Sequence, residues 1–116
     1  MTRVPQPFDV VKVPFPFTDR QQNKFRPAVL LSSPDNFGEL SGQSVLAMIT
    51  SAKHARFPLD LLIEDPETAG LPPECVIRMK IFTLDNRLIG EQLGQLGRQD
   101  QRSLVANVRK LFPFIN

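Results

Sequence analysis

The chain has 116 residues and a mass of 13.1 kDa, which is room for one domain core, residues 1–116, and no second. It is 41% hydrophobic and 22% charged, with 14 Lys and Arg against 12 Asp and Glu for a net charge of +2. One His, one Cys, and neither Tyr nor Trp exclude an intrachain disulfide, a Cys/His zinc site and a Tyr or Trp stacking platform, though nine Phe remain.

Eleven Pro and six Gly point to a turn-rich fold rather than long helices. Met1 to Pro7 has no apolar stretch of the signal-peptide kind, and runs such as Ala28 to Leu31 are too short to cross a bilayer. With a single cysteine, these features predict a cytoplasmic protein with no membrane partner. Charge is uneven along the chain. Residues 1–30 carry five basic and two acidic groups (+3), residues 31–70 two and six (−4), and residues 71–116 seven and four (+3). If the ends of the chain meet in space, one side is basic and can hold phosphates. Scattered surface charge is the alternative.

Asp9 to Phe15 alternates, with Val11, Val13 and Phe15 on one face, and predicts a half-buried strand. Thr18 to Lys24 is polar and aperiodic, a loop. Pro27 to Ser33 is a short apolar run that suits a central strand, and Ser44 to Ser51 suits another. A polar loop, Pro34 to Gln43, separates them. Leu59 to Ile63 predicts a short strand closed by Glu64-Asp65-Pro66. Cys75 to Thr83 alternates most cleanly: Ile77, Met79 and Ile81 point one way, Arg78 and Lys80 the other. Leu88 to Leu93 is a weaker sixth strand, interrupted by Gly90 and bounded by Gly94. The period then changes. Leu104, Val105, Val108, Leu111 and Phe112 share one helical face, Asp100 sits in the first turn where the helix dipole favours it, and Pro113 ends the helix. Five or six short strands and one C-terminal helix predict a small barrel or strongly bent sheet.

Few residues suit catalysis. His54, just past a strand end, is a general-base candidate, but the sequence supplies no orienting carboxylate, so it reads as a loop histidine. Cys75 has nothing nearby to activate a thiolate and reads as structural. Glu64 and Asp65 face apart and read as solvated. No glycine-rich phosphate loop is present. Arg26 and the pair Thr50-Ser51 stand out. Pro27 restricts Arg26 to extended backbone, which presents a guanidinium well suited to phosphate oxygens, and Thr50 and Ser51 end an apolar strand at a sheet rim. From spacing alone, a strand-end arginine and a turn Thr-Ser pair is the stronger reading.

Asp9-Val-Val-Lys-Val-Pro-Phe-Pro-Phe-Thr-Asp19, a polar loop, and Lys24-Phe-Arg-Pro-Ala-Val-Leu-Leu-Ser32 resemble the opening of the MazF/PemK toxin family. Ala47-Met-Ile-Thr-Ser51 is similar to that family's third strand, Glu74 to Asp85 with Arg87-Leu88 to its fifth strand and following turn, and Leu93 to Gly97 with the helix to its C-terminal end. Two positions depart from the pattern: Phe8 replaces the usual Gly before Asp9, and Arg98 stands where a Ser or Thr often caps the helix. The resemblance implies a mainly β, small SH3-like barrel of five to seven strands with a C-terminal α-helix, assembling as a homodimer. It implies a metal-independent, cofactor-free, sequence-specific endoribonuclease acting on single-stranded RNA and held inactive by a cognate acidic antitoxin. It places catalytic roles on Arg26 and Thr50. Ser51 beside Thr50, Lys24 in the first loop, and Arg78 and Lys80 on one strand face are the expected RNA-binding residues. The competing expectation is a non-catalytic barrel, either a degenerate RNA binder or a gyrase poison of the CcdB kind.

Overall fold

The computed structural model describes residues 4–14 and 25–115. Six antiparallel strands form one sheet: β1 Asp9–Pro14, β2 Phe25–Leu30, β3 Gln43–Ser51, β4 Leu61–Leu62, β5 Cys75–Asp85 and β6 Gln92–Gln95, in spatial order β4-β5-β3-β2-β1-β6. The sheet curls into a half-barrel with a C-terminal helix, α2 (Arg98–Leu111). A short helical segment, Pro34–Gly38 leading into α1 (Glu39–Ser41), joins β2 to β3.

The strands form where β-branched and apolar residues recur, and each side of the sheet has its own core. Val10, Val29, Ala47, Ile49, Ile77, Met79, Leu96 and Leu104 belong to the larger cluster, against which α2 also packs Val108 and Leu111. Val11, Val13, Ala28, Leu30, Leu46, Phe82 and Leu84 form the second. β1 is therefore buried through Val10 as well as through Val11 and Val13, rather than half-buried. The helical face is narrower than its periodicity implies, because Val105 is exposed.

Two bulges produce the curl. Ala47 pairs with Ile81 but Met48 pairs with Arg78, so Met79 and Lys80 are extra residues on β5. Val10 pairs with Gly94 and Val11 with Gln92, leaving Leu93 extra on β6. Pro27 is tolerated in an interior strand because the pairing of β2 with β3 begins at Ala28, so no ladder bond is lost.

The remaining expected strands are shorter. β4 keeps two residues of Leu59 to Ile63, and Leu88 to Leu93 divides into a 3-10 turn, Asn86–Leu88, and β6. The connection 63–74 takes up the function of an edge strand. Gln95 N donates to Thr68 O at 3.2 Å, and a Cβ on Gly94 would lie 2.5 Å from Thr68 O, so backbone packs directly on backbone there. Asp100, expected as a dipole partner, is 1% exposed and anchors this connection. Its two carboxylate oxygens accept from Glu64 N at 2.9 Å and Asp65 N at 3.0 Å.

Phe8 explains one departure from the family pattern. Its φ is +73°, in the left-handed region that glycine enters freely. The strained residue is held by Phe8 N donating to Leu30 O at 2.9 Å, by Leu96 N donating to Phe8 O at 3.0 Å, and by its ring against the larger core. The other departure shifts by one residue: Arg98 is the first residue of α2, and Gly97 before it occupies the N-cap with no side-chain cap.

Candidate active site

β2 and β3 bring the two principal candidates together. Ala28 pairs with Met48, and the same register carried two residues outward sets Arg26 opposite Thr50. Strand alternation gives each the face of its neighbour two residues on, Ala28 for Arg26 and Met48 for Thr50. Both line one open cleft of about 400 Å³, together with Ser51, His54, Lys12 and Leu93. Gly70, Leu71 and Pro72 of the 63–74 connection and Cys75 complete its lining.

Thr50 is 7% exposed, and its hydroxyl makes no hydrogen bond among the described residues. A polar group at a cleft wall without an internal partner is available to a ligand oxygen. Arg26 is partly buried at the same wall. Lys12 Nζ pairs with Glu91 Oε1 at 3.2 Å, so part of its charge is answered locally. Burial pushes the Cys75 thiol up from its ordinary pKa, which keeps it protonated and a poor nucleophile. Among the described residues, no three His, Cys, Asp or Glu side chains converge as metal ligands.

His54, a general-base candidate that reads from sequence as a loop histidine, lies at the cleft. Ser51 Oγ accepts from Lys53 N at 3.2 Å and Ser51 O from His54 N at 3.3 Å, a tight turn that holds the imidazole at the cleft beside Thr50. Ser51 therefore shapes the turn as well as lining the cleft. Its proximity to Thr50 in the chain was the only available signal.

The expected RNA-binding cations divide. Lys24 lies outside the described residues. Arg78 is not a solvent-facing cation: it is 8% exposed, and its fork is filled from within. Nε donates to Asp60 Oδ1 at 3.1 Å, Nη2 to Asp60 Oδ2 at 2.9 Å, and Nη2 to Ala55 O at 2.7 Å. Asp60 thereby raises the Arg78 pKa further above its ordinary value. Lys80 remains partly exposed, with Nζ 5.5 Å from the centroid of the Phe57 ring.

No helix among the described residues is long and apolar enough to cross a membrane. No curated protein matches the chain. Among solved structures, it is similar to MazF from Deinococcus radiodurans, with 21% identity, a TM-score of 0.73, and coverage of 97% of this chain and 100% of that one. It is also similar to an endoribonuclease in complex with its cognate antitoxin from a mycobacterial species (14% identity, TM-score 0.71, coverage 97% and 96%). A third is the Mycobacterium tuberculosis toxin MazF-mt6 (17% identity, TM-score 0.66, coverage 90% and 96%). These likenesses establish the fold. The family model for the PemK-like, MazF-like toxin of type II toxin–antitoxin systems matches residues 6–112, so the half-barrel with its Arg26–Thr50 cleft belongs to that toxin family.

Proposed function

We propose that this protein is a toxin that cleaves single-stranded RNA by a metal-independent route, using the nucleophile the RNA itself carries. The observation that supports this most directly is the placement of Arg26, Thr50 and His54 on one cleft. In this reaction the 2′-oxygen forms a bond to the adjacent phosphorus, the P–O5′ bond breaks, and the products are a 2′,3′-cyclic phosphate and a 5′-hydroxyl. The protein must stabilise the extra charge on the phosphorane oxygens and pass a proton from the 2′-hydroxyl to the departing O5′. Arg26 suits the first task, since a guanidinium stays charged and forks onto two oxygens. The Thr50 hydroxyl, with Ser51 beside it, orients the phosphate or the 2′-hydroxyl. The His54 imidazole can both accept and donate a proton, and it is the group at the cleft best suited to the second task.

The same reading makes the protein a cytoplasmic homodimer with a cognate acidic antitoxin, whose segment lies over the basic surface and blocks the RNA path. Two similar structures from Deinococcus radiodurans are MazE–MazF complexes, which supports an antitoxin partner. The test is incubation of the purified protein with a defined single-stranded RNA in excess EDTA, with cut ends mapped. Cleavage to 5′-hydroxyl ends is expected, with a loss of about hundredfold or more in Arg26→Ala while its melting curve is kept. Full activity in Arg26→Ala overturns the site assignment. Intact RNA beside a growth-arrest phenotype favours the non-catalytic barrel.

A further inference from the structure

The segment between β3 and β4 is more tightly built than an ordinary surface loop. Phe57-Pro58-Leu59-Asp60 forms a turn in which Asp60 N donates to Phe57 O at 3.0 Å and Phe57 N donates to Asp60 Oδ2 at 3.1 Å. Pro58 suits the second position of a type II turn, but the third position requires a positive φ and is usually glycine. Here it is Leu59, at φ +64°. The strain is borne because the Leu59 side chain packs on the larger core and its carbonyl accepts from Asn107 Nδ2 at 2.9 Å. Arg78 ties the segment down a second time, through Ala55 O and both oxygens of Asp60. Backbone strain held by this many contacts marks a conformation worth holding.

What these contacts hold in place is the Phe57 ring. It is 37% exposed, although it is a large apolar group. Arg78 Cζ lies 5.4 Å and Lys80 Nζ 5.5 Å from its centroid, both reaching it from β5. The ring thus has two cations within 5.5 Å of its centroid and still leaves 37% of the residue open to solvent. His54, three residues earlier in the same segment, is at the Arg26–Thr50 cleft. Lys53, just before His54, and Arg56, between His54 and Phe57, are exposed. An aromatic face among cations, on the segment that carries His54 to the Arg26–Thr50 cleft, is the chemistry that binds an unpaired nucleobase together with its backbone.

We propose that segment 52–60 is a nucleobase-binding arm and that Phe57 is its stacking platform, holding a base that flanks the phosphate at the cleft. Lys80 answers the charge of the neighbouring phosphate, and Arg78 and Asp60 are positioning residues that fix the ring without touching RNA. The proposal rests on the ribonuclease reading above, and its test separates the two.

The chain has no Trp, so Phe57→Trp introduces a single reporter with a stacking face of its own. The probe is the all-deoxy version of a cleaved oligonucleotide, which lacks the attacking 2′-hydroxyl and is bound without being cut. Quenching of the introduced indole on titration is expected. Phe57→Leu, which keeps an apolar side chain but removes the stacking face, is expected to raise KM about tenfold with kcat little changed. Wild-type KM in Phe57→Leu, or unquenched emission at saturating oligonucleotide, overturns the platform and leaves the ribonuclease reading standing. If Phe57→Leu melts below the assay temperature, the indole quenching alone decides. A wild-type protein that neither cuts nor binds RNA overturns the ribonuclease reading, and the platform with it.

Discussion

Replacing Asp100 by Asn removes one charge and one acceptor while keeping size and shape. In the native protein the carboxylate, 1% exposed, accepts from Glu64 N and Asp65 N, one bond to each oxygen. Hydrogen bonds to a buried charged group are worth about 1.5–3 kcal/mol each. The asparagine can keep one of them, but its amide then presents a donor to the other N–H and leaves that group unpaired. Its position in the first turn of α2 adds a dipole contribution of about 0.5 kcal/mol that the neutral amide gives up. Asp100→Asn should therefore cost about 2–3 kcal/mol, and Asp100→Ala, which loses both bonds, about twice that. For a domain of this size the first figure lowers Tm by roughly 10 °C. Urea unfolding gives the free energy, and hydrogen exchange gives the location, since the Glu64 and Asp65 amides should lose protection before the β3 and β5 amides do. A change within about 0.5 kcal/mol, with both amides still protected, would refute the claim that Asp100 pins the cleft-wall connection.

Two further outcomes follow from local geometry. Gly70 has φ +73°, and a Cβ there would lie 2.1 Å from Leu93 O, so Gly70→Ala meets both strain and an immovable carbonyl. It should lose at least about 3 kcal/mol in denaturant unfolding, whereas Gly42→Ala, at φ +74° with nothing within 4 Å, should lose only about 1 kcal/mol. The side chain and backbone N–H of Arg87 hold the Asp85 carboxyl at about 2, below its ordinary 3.8. The folded pKa lies below the unfolded one, so this contribution is fully present above pH 3.8 and is lost as pH falls toward 2. Because the pair is open to solvent, the effect should be small and should shrink further in high salt. An acid titration of stability in which Asp85→Asn tracks the wild type at low salt would contradict it.

The parts of the fold that could be read from sequence are those with a local cause. β1, β3, β5 and α2 follow periodicities set by their own residues, and their observed bounds lie close to the expected ones. β6 meets something periodicity does not carry, the packing of the 63–74 connection onto Gly94. Arg26 and Thr50 are recognisable as strand-end residues and through family resemblance, but the β2–β3 pairing that brings their strand ends to one cleft joins segments nearly 20 residues or more apart. His54 was discounted for want of an orienting group, and it is a turn closed by Ser51 that brings it to the cleft. Asp100 was legible only as a helix-terminal charge, because its backbone partners are 35 and 36 residues away.

Arg26 and Arg78 show why residue type and strand face do not settle an arginine's role. Each sits on a strand, and Arg78 does lie opposite Ile77, Met79 and Ile81, as alternation requires. A cation on that face reaches solvent only if nothing folds over it. Segment 52–60 does fold over it, and Asp60, 18 residues earlier, fills the guanidinium fork. This also changes the meaning of the charge pattern. The six acids of residues 31–70 do not all contribute to a surface charge, because Asp60 is turned inward against Arg78. The Arg78–Asp60 pair removes one cation from the basic regions and one anion from the acidic one, leaving the net charge unchanged while making segment 52–60 rigid. Lys53 and Arg56 remain exposed in this segment and Lys80 of β5 lies against its Phe57, so a short stretch inside the nominally acidic region carries exposed cations on either side of His54, which lines the Arg26–Thr50 cleft.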